Sequence, residues 1–262
     1  MNILVLIVVF LLIVIIQYYP EFKLFTLLFT NIPNNFEPVD YKKRKIGIIT
    51  AENRNEEYIK LHDTSFRQYS QTHDCDYIRT SNCPKEESST YWCKIHKVKK
   101  LLDSGKYDYV MWVDSDTIIV NQQLSIDTFI SEFGEPDIII GNDECMFDFL
   151  QYNIICAGVF LIKNSRVGKQ FIDDCLNEIK KNENCIINGK EQGIWAGICY
   201  EQGVMNLLVK TKYLKNTYLD YEKIFIYNKN IFNTPTDYSK NFIIHLAGAP
   251  NNIRAQFFKK FI

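Results

Sequence analysis

Short apolar stretches alternate with longer amphipathic stretches over most of this chain. The apolar stretches have the length and composition of strands, and the amphipathic ones repeat their apolar residues at helical spacing. Strands are predicted at 46–50, 77–79, 109–113, 137–140, 156–162 and 242–245, and helices at 56–69, 92–102, 167–179 and 201–209. This alternation is typical of a single α/β domain with a mainly parallel central sheet and helices on both faces.

The N-terminal segment has a different pattern. Residues 1–16 show no polar face, and Gln17, Tyr18 and Tyr19 carry the stretch to Pro20. Its length is close to the ~20 residues that a membrane-spanning helix needs. A cleaved signal peptide is the alternative, but no basic segment precedes the stretch and no small-x-small site follows it. We therefore predict a transmembrane signal-anchor at 1–19, which makes the chain a single-pass membrane protein.

A polar segment joins this anchor to the rest of the chain. Residues 20–44 contain Asn and Pro followed by a basic run, as expected of a stem or linker, so the catalytic domain is predicted at 45–262. The basic residues follow the anchor, and by the positive-inside rule this favours a cytosolic domain. The run lies beyond the range where that rule is strong, so the charge pattern leaves the orientation open.

Composition narrows the class of partner. The chain has 262 residues, of which 47% are hydrophobic, enough for one substantial core. Thirty basic and 31 acidic residues leave a formal charge of −1, so no nucleic-acid partner is indicated. The eight cysteines are an even number without zinc-like spacing, and they leave the redox compartment open.

Two carboxylates stand at the end of the third predicted strand, in the run Trp-Val-Asp-Ser-Asp at 112–116. Strand side chains alternate between faces, so Asp114 and Asp116 project to the same side if the extended geometry continues. An ordinary polar turn is the competing interpretation. His245 follows another strand, and two carboxylates with one imidazole suit Mn²⁺ or Mg²⁺ bound to a diphosphate.

Other polar side chains could complete such a site. Lys94 and Arg254 are candidates for phosphate contacts, although each, taken singly, is explained by a solvated surface charge. Glu201 and Gln202 begin a predicted helix, where the helix dipole already favours a carboxylate. Alternatively, Glu201 faces the sugar and stabilises cationic character at its anomeric carbon.

Five segments in order resemble glycosyltransferase family 34. They are Trp-Cys-Lys at 92–94, Tyr-Val-Met-Trp-Val-Asp-Ser-Asp at 109–116, Ala-Gly-Val-Phe-Leu-Ile-Lys-Asn-Ser at 157–165, Glu-Gln-Gly at 201–203 and His-Leu-Ala-Gly at 245–248. The resemblance implies a GT-A fold, a nucleotide-diphosphate sugar as donor, Mn²⁺, a glycan, glycoprotein or glycolipid acceptor, and transfer with retention at the anomeric carbon. It also implies a Golgi or ER domain that faces the lumen.

The resemblance also assigns roles to residues. Asp114, Asp116 and His245 match the metal ligands, and Glu201 and Gln202 match the catalytic acidic-Gln pair. The predicted nucleotide-sugar contacts are Thr50, Ala51, Tyr58, Lys94, Ser115, Gly248 and Arg254. The predicted sugar or acceptor contacts are Asn142, Asp143, Cys156 and Gly158.

Two positions depart from the family pattern. Cys156 stands where the family usually has Asn, and Glu201 stands where it usually has Asp. These changes motivate an alternative from another class, a non-catalytic nucleotide-sugar or carbohydrate-binding protein of the same fold. A glycogenin-like transferase ranks second among the enzymes, because its His-x-x-Gly-x-Lys-Pro-Trp ending is absent after His245. A metal-dependent phosphohydrolase or nucleotidyltransferase lacks a phosphate-binding Gly-rich loop.

Overall fold

A computed structural model of the protein describes residues 43–81, 83, 91–142, 154–228 and 238–262. The segment Lys43–Ile262 forms one compact unit. The predicted anchor at 1–19, most of the predicted stem at 20–44, and Asp143 lie outside the described residues. Within the described ranges, we find no helix that is both long and apolar enough to cross a membrane.

The elements follow the predicted alternation of strands and helices. The strands are β1 (Ile46–Ala51), β2 (Asp76–Thr80), β3 (Tyr109–Val113), β4 (Thr117–Ile119), β5 (Ile138–Asn142), β6 (Ile155–Lys163), β7 (Ile186–Ile187), β8 (Lys190–Glu191), β9 (Thr217–Asp220), β10 (Ile226–Asn228) and β11 (Ile243–His245). The helices are α1 (Glu57–His73), α2 (Cys93–Asp103), α3 (Ile126–Glu132), α4 (Arg166–Lys180), α5 (Glu201–Leu208) and α6 (Asn251–Phe258). The predicted α/β class is confirmed.

The central sheet is mixed, which corrects one detail of the prediction. Its six strands lie in the order β2-β1-β3-β6-β5-β9, and β6 runs antiparallel to both of its neighbours while the other five strands share one direction. Because β6 is buried on both faces, its sequence is a continuous apolar run that carries no sign of strand direction. The reversal places the N-terminal end of β6 beside the carboxyl ends of β3 and β5.

A second sheet covers this end of the domain. Its three strands lie in the order β10-β11-β4, with β11 parallel to β10 and antiparallel to β4. The predicted strand at 242–245 therefore belongs to this smaller sheet rather than to the central one. It pairs directly with the segment that follows the two carboxylates, since His245 is opposite Thr117 in the register.

The apolar core lies on both faces of the central sheet. Val110 and Trp112 of β3 pack in the cluster that includes α2, α4 and α5, whereas Tyr109, Met111 and Val113 pack in the cluster that includes α1 and α3. This is the two-residue period expected of a strand buried on both sides. The position after Val113 therefore continues the face of Trp112.

Candidate active site

The two carboxylates lie in a tight turn between β3 and β4. The Asp114 N–H donates to the Gly158 carbonyl at 2.8 Å, and the Thr117 hydroxyl donates to the Asp114 carbonyl at 2.7 Å. The Leu246 N–H donates to the Asp116 carbonyl at 2.9 Å. Contacts to β6 and to the residue after β11 therefore fix the turn at the carboxyl end of β3, the end of an α/β sheet where ligands bind.

Asp114 is held by two side chains from the same face of the sheet. The Trp112 indole Nε1 donates to Asp114 Oδ1 at 2.6 Å, and Lys94 Nζ lies 3.1 Å from that oxygen. The Asp114 side chain remains 31% exposed, so it is open to solvent on one side. Trp112 packs in the core and also orients this carboxylate.

Asp116 contacts two cationic side chains. Its Oδ1 lies 3.1 Å from His245 Nε2, and its Oδ2 accepts a hydrogen bond from Arg254 Nη2 at 2.7 Å. Arg254 projects from α6, so the turn, β11 and the last helix meet at this carboxylate. The structure thus brings Asp116 and His245 into direct contact, as a shared metal site requires.

The imidazole of His245 is fixed from its other side. His245 Nδ1 donates to Asn228 Oδ1 at 2.9 Å, and Asn228 Nδ2 donates in turn to the Asn142 carbonyl at 2.8 Å. Cys156 Sγ lies 3.5 Å from the same imidazole nitrogen. A Cβ at Gly158 would lie 2.2 Å from His245 Cε1, so this position needs glycine to leave room for the ring. These contacts direct Nε2 toward Asp116, which is the arrangement that orients a metal-binding histidine.

The contact between Asp116 and His245 shifts both pKa values. Burial would raise the pKa of Asp116, but His245 and Arg254 outweigh it and lower that pKa to about 2. Burial would lower the pKa of His245, but Asp116 outweighs it and raises that pKa well above its usual 6.5. The His245 contribution to stability is therefore present below pH 6.5 and is lost as pH rises through the raised pKa. The Asp116 contribution is present above pH 3.8 and is lost as pH falls toward about 2.

Lys94 connects Asp114 to the predicted catalytic pair. Its buried ammonium lies 2.9 Å from Glu201 Oε1 and donates to the Ala157 carbonyl at 3.2 Å. Burial opposes the charge on Lys94, but Asp114 and Glu201 raise its pKa, so the ammonium is charged. Burial raises the pKa of Glu201 while Lys94 opposes that shift. Gln202 Oε1 accepts a hydrogen bond from the Ala157 N–H at 3.1 Å, which ties the start of α5 to β6.

A second ionic group lies on the other side of the turn. Glu52 follows β1 and is 7% exposed, and its carboxylate accepts hydrogen bonds from Arg54 Nε at 2.9 Å and from Ser115 Oγ at 2.6 Å. Burial would raise the pKa of Glu52, but the hydrogen bonds from Arg54 and Ser115 lower it to about 2. Sequence reasoning named Ser115 and missed Glu52 and Arg54, which lie shortly after the predicted strand at 46–50.

Four more residues of the predicted donor site lie in β1, in α1 or after β11. The Thr50 and Tyr58 hydroxyls are buried without a hydrogen-bond partner among the described residues. Ala51 is the partly exposed last residue of β1, and Gly248, after β11, has a φ of 68°. Buried hydroxyls without partners are unusual in folded proteins. These two hydroxyls are therefore candidates for contact with a bound ligand.

Two disulfides lie beside the Lys94–Glu201 ion pair. Cys83 bonds to Cys93, the residue before Lys94, and Cys185 bonds to Cys199, two residues before Glu201. Cys75, Cys156 and Cys175 are free thiols. The sequence left this pairing open because it depends on tertiary contacts that bring distant cysteines together.

The three predicted metal ligands fit a divalent cation. One ligand atom from each of Asp114, Asp116 and His245 lies within 4.8 Å of the others. Two carboxylate oxygens and one imidazole nitrogen suit Mn²⁺, and the carboxylates also suit Mg²⁺. The hydrogen bond from His245 Nδ1 to Asn228 leaves Nε2 as the nitrogen that faces the carboxylates.

Comparison with solved structures identifies the fold. The crystal structure of a glycosyltransferase involved in the glycosylation of the major capsid of PBCV-1 is similar, with a TM-score of 0.59 and 14% identity over 82% of this chain and 99% of that one. The apo-form glycosyltransferase GlyE of Streptococcus pneumoniae TIGR4 is more distant, with a TM-score of 0.49 and 16% identity over 84% of this chain and 60% of that one. No curated protein sequence matches the chain significantly.

A family comparison adds the enzyme class. The chain is a glycosyltransferase by its match to the model of the galactosyl transferase GMA12/MNN10 family, and the predicted class is confirmed. The match covers residues 33–133, so the resemblance to glycosyltransferase family 34 is confirmed over the part of the chain that contains Asp114 and Asp116. Glu201, Gln202 and His245 lie outside the matched residues.

The Lys94–Glu201 pair generates the first testable prediction. Lys94→Met leaves Glu201 buried without its counter-charge, and we expect the free energy of unfolding to fall by about 3–5 kcal/mol, the usual cost of breaking a buried ion pair. Adding Glu201→Gln removes the unpaired charge, so the double variant should recover most of that loss. Urea unfolding at neutral pH measures both effects.

The control is Lys99→Met, which removes a more exposed lysine from the same helix. Lys99 pairs with Asp103 and Asp173, and its side chain is 36% exposed, so its loss should cost less than about 1 kcal/mol. Equal stabilities for Lys94→Met and Lys99→Met would contradict the structural role of Lys94.

Proposed function

We propose that this protein is a metal-dependent glycosyltransferase. It would move a hexose or pentose from a nucleotide-diphosphate sugar to a glycan, glycoprotein or glycolipid acceptor, with retention at the anomeric carbon. The observation that carries the proposal is the convergence of Asp114, Asp116 and His245 at the ligand-binding end of a glycosyltransferase fold.

Mn²⁺, or Mg²⁺ in its place, would be held by these three side chains. When bound there, the cation supplies positive charge to the diphosphate leaving group. Arg254 contacts the Asp116 carboxylate in this structure, so its guanidinium would become available to a phosphate oxygen if a cation took its place there. Arg54 lies on the other side of the turn, where Glu52 holds it in place.

The predicted catalytic pair would act at the start of α5. Glu201 is 4% exposed and bound to Lys94, so in this structure its carboxylate is directed at the ammonium. We propose that Glu201 positions Lys94, and through it Asp114, and that Gln202 holds the backbone of β6 beside the sugar site. Retention needs no separate base, because the leaving phosphate can accept the proton of the acceptor hydroxyl; this step is supported by the family resemblance alone.

A non-catalytic nucleotide-sugar-binding protein remains the second candidate. The observation that favours it is the pair of substituted positions, with Cys156 in contact with His245 and Glu201 engaged by Lys94. Donor binding in a one-to-one ratio, with no hydrolysed or transferred sugar detected by mass spectrometry, would establish this candidate. Detection of either product would exclude it.

We also propose that the domain faces an oxidising compartment. Two disulfides support this placement because disulfides persist in the ER lumen and extracellular space and are rare in the cytosol. The disulfides outweigh the argument for a cytosolic domain from the basic run after the anchor, because that run lies where the positive-inside rule is weak. The proposed arrangement is a single-pass signal-anchor at 1–19 with a Golgi or ER lumenal domain.

Replacing one carboxylate tests the metal site. Asp116→Asn should lower transfer by at least about 10³-fold, because several kcal/mol of charge stabilisation is lost and each 1.36 kcal/mol is a factor of ten. Initial rates are measured with a panel of nucleotide sugars and Mn²⁺. Asp103→Asn, an exposed position far along α2, serves as the matched control. Full activity of Asp116→Asn, or of wild-type protein in excess EDTA, would contradict the proposed metal dependence.

Metal binding should also release a proton. The raised pKa of His245 means that its imidazole is protonated at neutral pH without a metal, whereas a metal ligand must be neutral. We expect release of about one proton per Mn²⁺ at pH 7 and an affinity that rises about tenfold per pH unit below the raised pKa. Calorimetry in buffers of different ionisation enthalpy measures the proton count.

The control for this titration is His245→Asn, which removes the titrating imidazole. Weaker Mn²⁺ binding without proton release is expected for this variant. A wild-type binding enthalpy that is independent of the buffer would show that His245 does not give up a proton and so is not a ligand.

A protease-protection experiment tests whether the domain faces the lumen. In microsomes from eukaryotic cells that express the full chain, the domain should resist added protease until detergent opens the membrane. Cys83, Cys93, Cys185 and Cys199 should react with maleimide only after reduction, because they form the two disulfides. Digestion of the domain in sealed vesicles would place it in the cytosol and contradict the lumenal assignment.

A further inference from the structure

Three aromatic side chains form an exposed cluster beside the Lys94–Glu201 pair. This aromatic platform consists of Tyr91, Trp195 and Tyr200, whose ring centroids lie 5.1 Å, 5.4 Å and 5.1 Å apart in edge-to-face pairs. Trp195 is 59% exposed and Tyr91 is 37% exposed. Exposing large rings to water is unfavourable, and exposed apolar patches of this kind mark binding sites.

The platform is fixed to the elements that carry the candidate active site. Tyr200 is bonded to Glu201, and Tyr91 is bonded to Trp92, whose indole donates to the Cys199 carbonyl at 3.0 Å. The disulfide from Cys199 to Cys185 and the one from Cys93 to Cys83 hold both segments. The disulfides therefore constrain the backbone that carries the rings, which keeps the entropy cost of binding low.

Tyr91 lies close to the charged groups of the site. Burial raises its pKa, and the carboxylates of Glu201 and Glu191 raise it further while Lys94 opposes them. The platform thus adjoins the same ion pair that Asp114 contacts. A molecule stacked on the rings would reach toward the position of the transferred sugar.

A carboxylate oxygen without a partner lies in the same region. Glu191 Oε1 is buried and has no hydrogen-bond partner among the described residues. Burial raises the pKa of Glu191, and the charge of Glu201 adds to that shift. A buried acceptor without a donor is unfavourable, and a ligand hydroxyl that donates to it would remove that cost.

We propose that this platform binds the acceptor as an oligosaccharide, with the apolar face of one sugar ring on Trp195 and a sugar hydroxyl donating to Glu191. A saccharide fits because it combines an apolar C–H face with hydroxyl donors, whereas Glu191 repels a phosphate or another acidic ligand. The inference rests on the proposed transfer reaction and names the class of its second substrate. The binding step itself needs no catalysis and can be measured separately.

The test compares two variants of the same loop in the full chain. Trp195→Ala should raise the acceptor KM, and the dissociation constant of the saccharide by calorimetry, at least about tenfold, while the donor KM changes less than about twofold. Trp195→Phe, which keeps an aromatic face, should recover most of the affinity. Ile198→Ala, at a similarly exposed apolar residue outside the platform, is the matched control and should behave as wild type. The probes are tetrasaccharides of glucose, galactose, mannose or xylose.

Each outcome separates this inference from the proposed function. Saccharide binding that depends on Trp195, in a protein that turns over no donor, would support the platform and reject the transferase. Turnover with an unchanged acceptor KM in Trp195→Ala would reject the platform and keep the transferase. A dimer that dissociates in Trp195→Ala, without any change in saccharide affinity, would show that a second copy covers these rings and would overturn the inference.

Discussion

The arrangement of the site depends on the ion pairs that the buried ammonium of Lys94 makes with Asp114 and Glu201. This ammonium joins α2, the turn after β3, the start of β6 and the start of α5 through Asp114, Ala157 and Glu201. Taking a lysine out of water is expensive, so the charge persists only because two carboxylates and one carbonyl surround it. The same contacts that compensate this cost also fix the distance between Asp114 and α5.

The contacts around the turn divide into two sets with different consequences. Lys94 and Trp112 orient Asp114, whereas His245 and Arg254 contact Asp116. Lys94 and Trp112 of the first set are buried among packed elements. The second set is the one that a bound cation would rearrange, because His245 carries a proton and Arg254 occupies one oxygen of the carboxylate. A single Asp-x-Asp turn therefore combines a carboxylate held by buried partners with one whose partners a cation would displace.

Sequence reasoning found the components of the site but only part of their arrangement. Asp114 and Asp116 could be placed at a strand end because the apolar run before them has the pattern of a buried strand. His245 could be placed at another strand end, but its membership of a separate sheet depends on pairing with β4, a three-residue strand too short to predict. Position within a strand is a local property, whereas the choice of partner strand is decided by tertiary contacts.

The direction of β6 shows the same limit. The sequence of a fully buried strand is a continuous apolar run whichever way the strand points. It therefore predicts that β6 is a strand but not that β6 is antiparallel to its neighbours. The antiparallel direction of β6 brings Cys156 and Gly158 into contact with His245. A parallel β6 would place these two residues at the opposite end of the strands. Glu52 and Arg54 were missed for a different reason, because a Glu and an Arg after a strand are ordinary until Ser115 is known to lie within 2.6 Å of the Glu52 carboxylate.

Charge balance explains why these groups are stable together and how a donor would change them. Glu52, Asp114, Asp116 and Glu201 face Lys94, Arg54 and Arg254, and the protonated His245 completes a neutral set. Under the proposed function, a divalent cation at Asp114, Asp116 and His245 would add two charges and release the imidazole proton, which would leave the set with one net positive charge. On that proposal the metal-free site would have little attraction for a polyanion, whereas the loaded site would favour a diphosphate. The proposal therefore has the metal bind first or together with the donor, because the charges of the protein groups alone are balanced.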